Sequence, residues 1–136
     1  MLTLSAAISL FTVSCAETKF SQCQKIFGIA NGVAKETKSL TNSGQEIENK
    51  TWLKAADTME QAAQEMQALA ITDDNLLEYQ AGFVKMYRSY SEATREIIKA
   101  REDKDRPGAE AAQEKVKQAG KLEKEIGDGI NSYCRK

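Results

Sequence analysis

Three cysteines carry the most legible chemistry in this chain. Cys15 follows an apolar run from Leu2 to Val13, and Cys23 and Cys134 lie towards the two ends of the remainder. A thiol after an apolar leader is a candidate acylation point, and two distant thiols are candidates for a structural disulfide. Histidine is absent. Its absence removes the commonest general base, metal ligand and haem ligand, and every cysteine–histidine or serine–histidine nucleophile pair within the chain. Carboxylates, lysines and tyrosines remain. Di-iron bundles need inward Glu together with Glu-x-x-His, and disulfide exchangers and haem attachment need Cys-x-x-Cys; neither pattern occurs. There is no glycine-rich phosphate loop and no calcium-loop spacing. Asp73-Asp74 and Glu102-Asp103-Asp105 read as helix ends. Met59 and Met66 are soft enough for copper, but seven residues apart on an apolar stripe they read as core. The expectation is a non-enzymatic protein with no catalytic residue, metal or cofactor.

Binding is then the chemistry left to place. Trp52, Phe83, Tyr87 and Tyr90 are the candidate binding surface, with Arg88 or Arg95 as a charged edge. Aromatic residues at helical spacing also read as ordinary core whose hydroxyls reach the surface. The net charge is −1 and no basic stripe is present, so nucleic acid is not an expected partner.

The elements that must position these residues are helices. Ala, Glu, Gln, Lys and Leu dominate, and proline occurs once. Helix 1 is expected from Thr18 to Thr41. Phe20, Cys23, Phe27, Ala30, Ala34, Thr37 and Thr41 make its inner stripe, and Ile26, Val33 and Leu40 widen it. Gly28 and Gly32 share a face and are expected to pack closely inside the domain. Helix 2 begins at Ser43, with Glu46 completing a capping box, or at Asn49, which would serve as a cap. Its face is Trp52, Ala56, Met59, Ala63, Met66 and Ala70. Asn75, with Glu78 three residues on, caps a helix 3 from Leu76 to Lys104. Helix 4 runs from Pro107 to Ser132, and Gly127 and Gly129 weaken its last turns by about 1 kcal/mol each.

Four amphipathic helices with short turns predict an all-α, antiparallel up-down-up-down four-helix bundle over residues 16–136, after a signal segment over 1–15. In that topology helix 1 starts where helix 4 finishes, so Cys23 and Cys134 fall side by side and are the expected disulfide. The leader is too short to span a bilayer, which needs about 20 residues, and it matches the apolar part of a secretory signal peptide. The positive residues that usually precede such a run are missing, so the start of the reading frame is expected upstream. Two processing sites fit. Thr12-Val13-Ser14-Cys15 resembles a lipobox, with Thr12 where Leu is usual, and makes Cys15 the lipidated residue. Ser14-Cys15-Ala16 fits cleavage after a small-x-small site. A buried N-terminal helix of a cytosolic protein is the remaining alternative. An acylated Cys15 leaves an even pair of thiols, which agrees with export to a disulfide-forming periplasm or lumen.

Ser21-Gln22-Cys23-Gln24-Lys25-Ile26, the stretch from Tyr79 to Arg88, and Asn131-Ser132-Tyr133-Cys134 resemble a group of small exported helical proteins of cyanobacteria. That resemblance implies a four-helix domain and no known activity. At the level of architecture the chain is also similar to the lipid-anchored lumenal four-helix proteins that assist photosystem II.

Two functions are expected from these readings. The first is a protein-interaction or assembly factor, anchored by lipid at a membrane surface, with a protein partner. The second is a small-molecule module that holds an apolar ligand in a cavity between Trp52 and the Phe83/Tyr87/Tyr90 face.

Overall fold

The computed structural model describes residues 17–46 and 48–136. The leader and Cys15 lie outside the described residues. Four helices follow in order: α1 (Lys19–Leu40), α2 (Asn49–Ala68), α3 (Asp74–Glu102) and α4 (Arg106–Arg135), with a 3-10 turn at Asn42–Gly44 between the first two. The described residues contain no strand.

The ends of the helices follow from side chains that satisfy free backbone N–H groups. Thr18 caps α1, its Oγ1 accepting from the Ser21 N–H at 3.1 Å. Of the two starts expected for helix 2 the Asn49 one holds, and the caps of α2 and α3 differ from those expected. Ser43 does not open α2; it sits in the 3-10 turn at φ 56°, and the Gly44 N–H bonds the Thr41 hydroxyl instead. α2 begins at Asn49, which lies inside the helix, and Glu48 is the N-cap without a side-chain bond. Asp73, not Asn75, caps α3, accepting from the Leu76 N–H at 2.9 Å. A carboxylate at a helix N-terminus gains from the helix dipole as well as the hydrogen bond, and Asn75 already lies inside the helix. Asp105 caps α4, placing Pro107 in the first turn where its missing N–H costs nothing.

α3 is the centre of the packing, lying against both α2 and α4, while the backbones of α2 and α4 do not approach closely. α1 lies mainly on α2 and meets α3 and α4 sparingly. Ile26, Met66, Leu76 and Ile130 are fully buried where the four helices converge. Close approach of α3 and α4 explains two glycines. A Cβ on Gly129 would meet the Tyr79 ring at 2.8 Å, and one on Gly82 would meet the Ile126 Cδ1 at 2.8 Å. Gly129 therefore lets α4 come close, in addition to weakening it.

Helix 1 departs from its expected face. Gly28 and Gly32 have no atom within 4 Å of where a Cβ would stand, so they face outward and pack against nothing. Phe20 is 65% exposed, and Ala34 is exposed as well. The buried positions are Gln22, Cys23, Ile26 and Val33. Because α1 packs chiefly on one neighbour, its buried stripe is narrower than a helix enclosed between two neighbours would have.

Candidate functional site

The site begins at the clamp. Cys23 stands in the first turns of α1 and Cys134 near the end of α4; they form a disulfide with S–S 2.06 Å and Cα–Cα 6.2 Å. Around it, polar side chains tie three helix ends together. Gln22 is buried; its Oε1 accepts from the Thr72 and Asp73 N–H groups at 2.8 and 3.2 Å, and its Nε2 donates to Glu17 O and Thr72 Oγ1. The Tyr133 hydroxyl donates to Asp73 at 2.8 Å, and Lys19 donates to the Tyr133 carbonyl while standing 4.7 Å above its ring. The Leu76 N–H first, and the Tyr133 hydroxyl second, hold the Asp73 carboxyl below the usual range. The Asp73 bond raises the Tyr133 phenol in turn.

Away from this end the α1–α4 seam is not filled. A groove follows it in two connected lobes. The lobe at the far end, beside the Asn42–Gly44 turn, has a volume of about 930 Å³ and is lined by Lys38, Trp52, Ile97, Ile98, Arg101 and Val116 among others. The lobe towards the disulfide has a volume of about 460 Å³, between Phe27, Ala30 and Val33 on α1, Phe83 and Tyr87 on α3, and Gly127 on α4. Ala34, Thr37, Met59, Tyr90 and Glu123 line both. The groove opens because the clamp and the buried Ile26/Ile130 contact hold one end of the seam, while the far end offers only Ala34 and Thr37 on α1 opposite Val116 on α4.

The expected binding residues all reach this groove, but not as one cluster. Phe83 and Tyr87 are core residues, 6% and 4% exposed, stacked with ring centres 6.0 Å apart, and only their edges floor the narrow lobe. Trp52 lines the wide lobe, oriented by its indole N–H, which donates to the Glu46 carbonyl at 2.8 Å. Tyr90 stands where the lobes meet and donates to Glu123 at 2.6 Å. Burial, and then the charge of Glu123, push the Tyr87 phenol up to about 12. Burial, then the Glu123 bond, raise Tyr90 further. Both phenols therefore stay neutral through the physiological range, and the groove wall is a set of neutral aromatics.

Arg88 and Arg95 do not edge the groove. Arg88 bonds Gln67 at 2.8 Å and Arg95 pairs with Asp57, both across α2 and α3. The charged groups that do edge it, Lys38, Glu46, Arg101 and Glu123, were not among the expected binding residues. Helical spacing assigns Lys38, Arg101 and Glu123 to wet faces, and only the opening of the seam brings them to one hollow. Among the described residues no three Cys, Asp or Glu side chains gather as a metal site requires, and no helix is long and apolar enough to cross a membrane.

Comparison with protein families, curated proteins and solved structures gives no significant match. The site therefore rests on its own geometry.

Proposed function

We propose that this protein is a non-enzymatic binding module, exported to a periplasm or lumen and tethered to a membrane by lipid on Cys15, whose α1–α4 groove holds an apolar ligand. The open, aromatic-lined seam carries this reading. Two connected lobes of 930 and 460 Å³ each fall within the range of ligand cavities, roughly 300–1,000 Å³. Leaving that much apolar wall uncovered forgoes burial that a ligand would restore. The disulfide supports export, because such bonds persist in oxidising compartments.

The experiment is fluorescence of Trp52, the only tryptophan, in the full chain titrated with an apolar dye such as N-phenylnaphthylamine. Saturable change in both indole and dye emission is expected. A linear, unsaturable response refutes the reading. Export is tested by intact mass on protein made from the full gene in a bacterial host. A species lacking Met1 to Ser14 and carrying acyl chains is expected, and an unprocessed chain with three free thiols refutes it.

One observation favours a second reading. The groove is open along its side, so a segment of a protein partner at the membrane surface can lie in it, in the manner of helix-in-groove recognition. Crosslinking in native membranes that repeatedly captures no partner would count against this assembly role.

A further inference from the structure

The shape and charge of the groove narrow the class of ligand, on the footing that the groove is the binding site. We infer that it takes a single-chain amphiphile with an anionic head, a long-chain carboxylate, with the head between Lys38 and Arg101 and the tail directed towards Phe27. Three observations meet here. The groove passes from a lobe of about 930 Å³ to one of about 460 Å³, so it offers more room for a head at one end than at the other. Its cations are placed unevenly. Lys38 and Arg101 stand at the wide end, whereas the narrow end, with Phe27, Ala30, Val33, Phe83 and Tyr87 beside Asn31 and Asn131, carries no cation.

Charge is the third observation. Four charged side chains line the groove, and the two carboxylates are engaged: Glu46 accepts from the Glu48 N–H at 2.9 Å and Glu123 from the Tyr90 hydroxyl. Lys38 and Arg101 make no ion pair among the described residues. Lys38 sits in the last turn of α1 and Arg101 in that of α3, so two helix ends present cations to one mouth. The length also fits. Lys38 to Phe27 along α1 is about 17 Å at the helical rise, and an acyl chain spanning one leaflet of a bilayer covers about 15 Å.

The test uses the full chain and competes bound N-phenylnaphthylamine with hexadecanoate or hexadecanol, each below its micelle concentration. The two share a tail and differ in charge. Hexadecanoate is expected to bind about tenfold more tightly, the increment of one charge-assisted hydrogen bond in a partly wet site. The Lys38→Gln/Arg101→Gln variant is expected to lose that difference and keep hexadecanol affinity. Ala34→Phe, which grows a ring where the lobes join, is expected to lose both ligands. All three residues are exposed, so the variants retain the fold, with the circular dichroism of the parent as the control. Equal affinity for the acid and the alcohol, or a difference that survives the double variant, overturns the anionic head and leaves the groove as a binding site. Unchanged binding in Ala34→Phe overturns the location. Displacement of dye by neither ligand overturns the amphiphile, and failure of the dye itself to bind overturns the groove function too. Dye binding that falls as protein concentration rises, with a doubled mass in sedimentation, assigns the groove to a second copy and also overturns the inference.

Discussion

Removing the disulfide tests how this bundle is held. The Cys23–Cys134 bond closes a loop of 111 residues. In the chain-entropy treatment a loop of that size stabilises the folded state by about 4–5 kcal/mol, a large share of the roughly 5–15 kcal/mol that a domain has in total. The Lys19–Tyr133 and Tyr133–Asp73 bonds beside it lie at the surface end of the bundle, where water screens them. For a domain of this size about 1 kcal/mol moves the melting temperature by about 4 °C, so Cys23→Ala/Cys134→Ala should melt about 15–20 °C below the parent. Thermal melts and urea titrations of the two proteins give the difference, with the urea midpoint falling in step. The loss should also be uneven. α1 meets α4 and α3 sparingly, so its amides should gain hydrogen exchange at the clamped end before those of α3 do. A shift below about 4 °C would refute the reasoning, because it would mean that non-covalent packing closes the α1–α4 seam unaided.

Other expectations follow from the same structure. Gly28→Ala and Gly32→Ala, which meet nothing within 4 Å, should each stabilise by about 0.5–1 kcal/mol, whereas Gly129→Ala, whose Cβ would press on the Tyr79 ring, should destabilise; chemical denaturation of the three separates helix propensity from close packing. Gln22→Ala should cost about 2–3 kcal/mol, since it strands the Thr72 and Asp73 N–H groups, and Gln22→Glu should cost at least as much by removing both donors and burying a charge. Asp73 has its folded-state pKa lowered. Its contribution is therefore present above the unfolded value of about 3.9 and is lost as pH falls through the lower folded value. Stability measured from pH 5 down to about 2 should fall less steeply in Asp73→Asn than in the parent.

Legibility varied along the chain with how local the cause was. Helix existence was clear because apolar spacing over many residues averages out single exceptions. Capping was partly clear: Thr18 and the Asp73–Asp74 and Glu102–Asp105 helix ends were readable. The choice of Asp73 over Asn75 depended on where the backbone turns into the helix: Asp73 is extended and Asn75 is already inside α3. Inner faces were legible only in part. They were misread on α1, where Phe20, Gly28 and Gly32 turned out exposed, because a periodic stripe shows which residues share a face and not how many neighbours cover it. Trp52, Phe83, Tyr87 and Tyr90 were legible as a set by type and spacing. Their division into buried floor and groove wall was not, and neither was the recruitment of Lys38, Arg101 and Glu123.

By itself the sequence determined that the chain is all-helical, that its helices alternate in direction, and that Cys23 and Cys134 meet. Hydrophobic periodicity, turn residues and the parity of four short-linked helices suffice for those, since each is a property of the chain and its order. Only the tertiary structure decided that α1 leans on α2, that the α1–α4 seam stays open beyond the clamp, and that neutral aromatics and two cations without an ion pair among the described residues line the gap. Those outcomes depend on side-chain volume facing side-chain volume across helices. Ala34 and Thr37 opposite Val116 are too small to close a seam that Ile26, Ile130 and the disulfide close at the other end.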